Sequence, residues 1–90
     1  MKKKLRGKTA LITGASEGVG RAIAEVLGRY EMKLGLVARS RDKLEEVAKK
    51  VNKSGSEALI LETDLRDSSA IKDAVKKFKA EFGVVNFLIN

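Results

Sequence analysis

Residues 13–20 read TGASEGVG and directly follow the apolar run TALI at residues 9–12. A glycine at the carboxyl end of a strand lets the chain turn sharply, and a glycine facing a ligand lets phosphate approach the backbone without a Cβ in the way. Gly14 and Gly18 suit these two roles, and Gly20 allows close packing of the next helix on the strand. The stretch therefore predicts a strand, a tight loop and a helix whose free N–H groups face an anion.

The spacing of the three glycines narrows the kind of anion site. It reads G-x-x-x-G-x-G, which differs from the P-loop pattern G-x-x-x-x-G-K-S/T, so the sequence gives no support to a nucleoside triphosphatase. It also differs from G-x-G-x-x-G. Taken alone, three glycines fit a flexible turn in any α/β protein as well as they fit an anion-binding loop. The rest of the sequence is needed to choose between these two interpretations.

Four apolar runs follow one another at near-regular intervals, and each is continuous rather than alternating. They are TALIT (9–13), LGLVA (34–38), EALILE (57–62) and VNFLI (85–89). Such runs are typical of strands buried on both faces of a parallel sheet. The segments between them carry apolar residues at helical spacing, including one stripe from Val19 through Ala22, Ile23, Val26 and Leu27 to Tyr30. The order β-α-β-α-β-α-β predicts a single α/β domain over residues 1–90, a Rossmann-type doubly wound parallel sheet.

The handedness of the crossovers predicts how the strands are arranged. Right-handed connections place the first two helices on one face and the third on the other, which gives the strand order 3-2-1-4. One face is then covered by a single helix, and strand four is a free edge. Because exposed apolar surface and free strand edges promote association, we expect self-association through the exposed sheet face or the strand-four edge.

The end of the second strand bears on the choice of cofactor. In an open parallel sheet, ligands bind at the carboxyl ends of the strands, and a site that prefers NAD usually has an acidic residue at the end of the second strand. Here Ala38 is neutral and is followed by Arg39 and Arg41. A guanidinium can bind phosphate through two hydrogen bonds, so the pattern favours the 2′-phosphate of NADP, with NAD as the alternative.

With these residues identified, the whole chain resembles the N-terminal half of a short-chain dehydrogenase/reductase. TGASEGVG matches that family's TGxxxGxG motif, Asp64-Leu65 matches the pair that flanks adenine, and VNFLIN (85–90) resembles the strand leading into its NNAG motif. The resemblance implies that Ser16, Arg39 and Ser40 surround the 2′-phosphate, that Asp64 accepts a hydrogen bond from the adenine amine, and that Asn90 lies near the ribose. The predicted cofactor-binding residues are Gly14, Ser16, Glu17, Gly18, Val19, Gly20, Arg39, Ser40, Arg41, Asp64, Leu65 and Asn90.

Two departures from the family pattern qualify this expectation. Several NADP-preferring members have a basic residue before the second glycine, whereas this chain has Glu17. The sequence also stops at the first residue of NNAG, before the part that carries the family's catalytic serine and YxxxK pair. Its single tyrosine, Tyr30, falls on the apolar stripe of the first helix, so we assign no catalytic residue.

The expected function is therefore that of a cofactor-binding segment, truncated before the catalytic half. In its complete form the protein would be an NADP-dependent oxidoreductase acting on an alcohol or carbonyl substrate, and residues 1–90 alone are expected to be inactive. The alternative is a non-enzymatic dinucleotide-binding half-fold module.

The composition excludes several other kinds of chemistry. The chain has no cysteine and no histidine, which excludes disulfides, thiolate chemistry and imidazole catalysis, and we expect no metal site. No apolar run is long enough to cross a membrane, and no signal-peptide pattern follows the basic start, so we expect a soluble cytoplasmic protein.

The net charge of +7 arises N-terminally, because residues 1–50 hold 13 basic and 6 acidic side chains. Part of it is a basic arm formed by Lys2, Lys3, Lys4, Arg6 and Lys8. Such an arm could attract nucleic acid, but no aromatic residue is interleaved for base stacking. A solvated chain end is the favoured interpretation, and nucleic-acid binding the weaker alternative.

Overall fold

The computed structural model describes residues 2–90 and contains one parallel sheet of four strands with helices on both faces. The elements are α1 (Lys2–Leu5), β1 (Thr9–Thr13), α2 (Gly18–Leu27), a 3₁₀ turn (Gly28–Tyr30), β2 (Lys33–Ala38), α3 (Arg41–Ser54), β3 (Glu57–Glu62), α4 (Ser68–Phe82) and β4 (Phe87–Ile89). The strand order is β3-β2-β1-β4, which confirms the predicted order 3-2-1-4 and the Rossmann-type arrangement.

The register of the sheet aligns the four strands so that their carboxyl ends lie along one edge. Leu11 in β1 pairs with Gly35 in β2 and with Leu88 in β4, and Gly35 in turn pairs with Leu59 in β3. Because all pairs are parallel, the loops that follow the strands meet at the same edge of the sheet.

Two apolar cores lie on the two faces of the sheet. The core under α2 and α3 includes the fully buried side chains of Ile12, Leu34, Leu36, Leu44, Val47 and Val51. The smaller core under α4 consists of Leu11, Val37, Leu61, Ala74 and Phe78. This division confirms that the first two crossover helices share one face and that the third lies on the other.

Side-chain hydrogen bonds cap the first turns of α3 and α4. Ser40 precedes α3, and its hydroxyl accepts a hydrogen bond from the Lys43 N–H at 3.4 Å. Asp67 precedes α4, and its carboxylate accepts from the N–H groups of Ser69 at 3.0 Å and Ala70 at 3.3 Å. These bonds satisfy N–H groups that have no partner inside the helix, and they therefore stabilise the start of each helix.

The apolar stripe of the first crossover helix is only partly buried. Ala24 is the buried residue of α2, whereas Val19 is 76% exposed and Ala22 and Val26 are also exposed. Helical spacing identifies residues that share a face, but it does not say whether another element covers that face. Within residues 2–90, the side of α2 that carries Val19 and Val26 remains open.

Strand β4 is shorter than predicted because side chains replace backbone pairing at its start. The Thr9 N–H donates to the Asn86 side-chain oxygen at 2.9 Å, and the Asn86 N–H donates to the Thr9 hydroxyl at 2.9 Å. Regular pairing begins at Phe87, which is 44% exposed, and continues through Leu88, which is 62% exposed. An edge strand with exposed apolar side chains is one of the two surfaces through which we expect self-association.

The basic N-terminal segment is not a free arm. After the short helix α1, the Gly7 N–H donates to the Glu31 carbonyl at 2.8 Å, and the Arg6 guanidinium lies 2.8 Å from the Glu31 carboxylate. Leu5 packs against the core under α2 and α3.

The described residues include no helix with both the length and the apolar character that a membrane span requires.

The absence of a Cβ at Gly35 gives the first testable prediction. A Cβ placed there would lie 2.5 Å from a ring carbon of Phe78 and 3.0 Å from a methyl group of Leu11. We expect Gly35→Ala to lower the free energy of unfolding by about 1–3 kcal/mol through overpacking, measured by urea denaturation. In a Phe78→Leu background the added loss should shrink, because the clashing ring is gone. An equal loss in both backgrounds would contradict the assigned contact.

Candidate functional site

A cavity of about 550 Å³ lies at the carboxyl ends of β1, β2 and β3. Three chain segments line it, each of them directly following a strand. The lining residues are Gly14, Ser16, Glu17, Ala38, Arg39, Ser40, Lys43, Thr63, Asp64, Leu65 and Arg66. Seven of the twelve predicted cofactor-binding residues are among them, so the structure brings the three strand ends into one site.

The glycine loop forms the first wall of this cavity. Gly14 and Gly18 have φ angles of +60° and +62°, a region that residues with a Cβ rarely adopt. Between them, the Ala15 N–H donates to the Val37 carbonyl at 3.1 Å, which ties the loop to the end of β2. Ser16, the next residue of the loop, is buried.

Gly20 sets the distance between the start of α2 and the loop. A Cβ at this position would collide with the carbonyl group of Gly14, so only glycine allows the observed approach. Glu17 is the N-cap residue of α2, but its side chain makes no capping hydrogen bond. The N–H groups at the start of α2 are therefore not occupied by that carboxylate.

The two arginines that follow β2 occupy different places. Arg39 lines the cavity, and among residues 2–90 no carboxylate oxygen lies within 4 Å of its guanidinium. Arg41 lies apart from this group, because its guanidinium is 3.0 Å from the Glu62 carboxylate and it lines a separate cavity of about 220 Å³ beside α4. Of the two arginines predicted to bind the cofactor, Arg39 therefore lines the cavity and Arg41 does not.

Asp64 and Arg66 form the third wall together with the exposed side chain of Leu65. The Arg66 backbone N–H and Nε both donate to Asp64 Oδ1, at 2.9 and 3.1 Å, and Nη2 donates to Oδ2 at 2.9 Å. These hydrogen bonds favour the charged carboxylate and lower the pKa of Asp64 from 3.8 to about 2. The same contacts raise the pKa of the Arg66 guanidinium.

Lys43 and Arg66 are site residues that the sequence analysis did not identify. The Lys43 ammonium lies 3.3 Å from the Glu17 carboxylate, and thus joins the start of α3 to the glycine loop. Their spacing offered a signal, because Lys43 falls in the first turn after the cap Ser40, and Arg66 lies two residues after Asp64. The sequence alone does not predict that Lys43 pairs with Glu17 or that Arg66 pairs with Asp64.

Gly18, Val19, Gly20 and Asn90 are predicted residues that do not line the cavity. Gly18, Val19 and Gly20 form the first turn of α2 directly after the glycine loop. Asn90 follows β4, and its side-chain oxygen accepts a hydrogen bond from the Thr13 hydroxyl at 3.0 Å. Asn90 therefore lies beside the end of β1, at the same edge of the sheet.

The charges of the lining residues suit an anionic ligand. The three lining cations Arg39, Lys43 and Arg66 outnumber the two lining carboxylates, Glu17 and Asp64, which gives the lining a net charge of +1.

Tyr30 lies away from the cavity. It comes just before β2, at the opposite edge of the sheet, and packs against the core. Across residues 2–90 no three acidic, cysteine or histidine side chains are grouped so that they could hold a metal ion.

Comparison with known proteins gives a consistent result. The profile of the family described as short chain dehydrogenase matches residues 8–90. The chain is 39% identical over 89 residues to a fatty acyl-CoA reductase of Acinetobacter baylyi, covering 99% of this chain and 30% of that protein. It is also 39% identical over 87 residues to the oxidoreductase UcpA of Salmonella typhimurium, covering 97% and 33% of the two chains. The chain thus spans about a third of the length of these relatives.

Solved structures show the same similarity in three dimensions. L-sorbose reductase from Gluconobacter frateurii, complexed with NADPH and L-sorbose, superposes with a TM-score of 0.91 at 34% identity, over 100% of this chain and 35% of that one. A metagenomic short-chain oxidoreductase in complex with NADP gives a TM-score of 0.88 at 37% identity, over 93% and 38% of the two chains.

The Asp64–Arg66 pair predicts how the site responds to pH. Because the pKa of Asp64 falls from 3.8 to about 2 on folding, the pair's contribution to stability is fully present above about pH 3.8 and is lost as the pH falls through about 2. A ¹³C NMR titration of the Asp64 carboxyl should show this low pKa in the wild type and a return toward 3.8 in Arg66→Gln.

Lys53→Gln is the control for that titration, because it removes an equal charge at the far end of α3 and should leave the pKa of Asp64 unchanged. Titration of Asp64 near 3.8 in the wild type would contradict the described hydrogen bonds.

Proposed function

The chain belongs to the short-chain dehydrogenase family, and on that premise we propose that it binds the adenosine and pyrophosphate end of NADP. The observation that carries this proposal is the cavity at the ends of β1, β2 and β3, which has the glycine loop, Arg39 and Asp64 on its three walls. An open parallel sheet binds ligands at this edge. The size and net positive charge of the cavity suit a nucleotide.

The pyrophosphate would lie against the glycine loop and the start of α2. The N–H groups of the first helical turn and the positive end of the helix dipole attract an anion there. Support comes from the free approach to Gly14 and Gly18, where an added Cβ would meet only open space, so the loop backbone is accessible from the cavity.

The adenosine would lie between Leu65 and the end of β2. Leu65 is 49% exposed and offers an apolar surface to the base. The Asp64 carboxylate already accepts hydrogen bonds from Arg66, but two carboxylate oxygens have about four lone-pair positions and can also accept from the adenine amine.

NADP is proposed over NAD because of the residues next to the adenine ribose. Arg39 and Ser40 line the cavity after β2, and no acidic residue stands at Ala38 to bind a ribose 2′-hydroxyl. The complexes of L-sorbose reductase with NADPH and of the metagenomic oxidoreductase with NADP, both similar to this chain, support the choice.

The complete protein is proposed to oxidise an alcohol or reduce a carbonyl compound. When bound, the nicotinamide of NADP supplies the hydride chemistry, and the protein supplies binding and orientation. In this family, a serine and a YxxxK pair would transfer the proton, and we assign no residue among residues 1–90 to that role. We therefore propose that residues 1–90 bind cofactor without turnover, which detectable carbonyl reduction by the purified chain would contradict.

A dinucleotide-binding module without enzymatic activity is the second candidate. It is favoured by one observation, namely that all residues lining the cavity fall between Gly14 and Arg66 of this chain. The two candidates predict the same binding site and differ only in whether a catalytic half accompanies it.

Binding measurements on the 90-residue chain test the proposed cofactor. We expect isothermal calorimetry to show tighter binding of NADPH than of NADH. Arg39→Ala should weaken NADPH binding by about 1–3 kcal/mol, the range for hydrogen bonds to charged groups, and leave NADH binding nearly unchanged.

Arg41→Ala is the matched control, since this neighbouring arginine pairs with Glu62 outside the cavity and its loss should affect neither cofactor strongly. If Arg39→Ala weakened NADPH and NADH binding equally, this would contradict the proposed contact between Arg39 and the 2′-phosphate.

A further inference from the structure

Glu17 and Lys43 form an ion pair between two walls of the proposed NADP site. The Glu17 carboxylate and the Lys43 ammonium are 3.3 Å apart, and their side chains are 73% and 51% exposed. Both line the cavity together with Arg39 and Ser40. The acid that the sequence analysis found unfavourable for a 2′-phosphate is thus already neutralised by a cation in the same place.

The position of Lys43 on α3 is unfavourable for the helix itself. Lys43 lies in the first turn, and the hydrogen bond from its N–H to the Ser40 hydroxyl fixes its backbone there. The positive end of the helix dipole repels a cation at this end, so helix stability gives no reason for a lysine at this position. Its side chain instead places an ammonium group at the cavity.

The cations of the cavity differ in how firmly they are held. Arg66 makes three hydrogen bonds to the Asp64 carboxylate, whereas Lys43 has a single contact of 3.3 Å with an exposed glutamate. Exposed ion pairs of that kind contribute little to stability. A phosphate group carries more charge than a carboxylate and forms strong charge-assisted hydrogen bonds, so it can replace Glu17 as the partner of Lys43.

We propose that Lys43, together with Arg39, binds the 2′-phosphate of NADP, and that Glu17 holds Lys43 until the phosphate displaces its carboxylate. The inference rests on the proposed binding of NADP at this cavity. NADH has a hydroxyl at that position and leaves the Glu17–Lys43 pair intact. Glu17 therefore lowers the affinity for the phosphorylated cofactor alone, while Lys43 raises it.

Calorimetric titration with NADPH and NADH at low salt tests the role of Lys43. Lys43→Gln should weaken NADPH binding about tenfold and change NADH binding by less than about twofold, because it removes one charge-assisted contact to phosphate. Lys53→Gln is the matched control, since it removes the same charge from the last turn of the same helix and should change neither affinity. Circular dichroism of each variant checks that the fold is retained.

A double-mutant cycle tests the exchange of partners. Glu17→Gln should raise NADPH affinity by about two- to fivefold in the wild-type background, the range for one exposed ion pair. In Lys43→Gln, much of this gain should vanish, because there is no ammonium group left to release. An equal gain in both backgrounds would overturn the exchange and leave only repulsion between Glu17 and phosphate.

The same data separate this inference from the function on which it rests. Preferential NADPH binding that survives Lys43→Gln undiminished would overturn the role of Lys43 and leave the proposed cofactor standing. A wild-type chain that binds both cofactors equally, or neither of them, would overturn the 2′-phosphate site and with it this inference.

Discussion

The close contact between the start of α2 and the carbonyl of Gly14 is the constraint on which the site depends. No Cβ fits at Gly20, so the helix can begin directly against the loop that leaves β1. The start of α2, which directly follows the loop after β1, therefore lies at the edge where the strands end. Because the strands are parallel and in register, the ends of β2 and β3 lie at the same edge, and three loops enclose one cavity.

Ion pairing then determines which charges remain available inside the cavity. Asp64 pairs with Arg66, and Glu17 pairs with Lys43. Arg41 pairs with Glu62 outside the cavity. Among the described residues, Arg39 is the lining cation that has no carboxylate partner. An anion that enters the cavity can therefore bind Arg39 without breaking an ion pair. It can also bind Lys43, whose ion pair with Glu17 is weak. The arrangement suits a ligand with separate phosphate groups better than one with a single charge.

Much of this fold could be predicted because it follows from local patterns. Continuous apolar runs predicted the strands, and right-handed crossovers predicted their order. The exposure of Val19 and the pairing of Lys43 could not be predicted, because covering a helix face and pairing two side chains both depend on elements distant in sequence. For the same reason, the sequence could not separate Arg39 from Arg41.

The most direct test of the central claim is a ¹⁵N NMR titration of the chain with NADPH, which locates the binding site on the backbone. We predict that the largest chemical-shift changes fall on residues 14–20, 38–43 and 63–66, the three segments at the strand ends. Changes concentrated instead on the basic segment at residues 3–8, or on the lysines at the far end of α3, would show that NADPH meets only surface charge, and would contradict it.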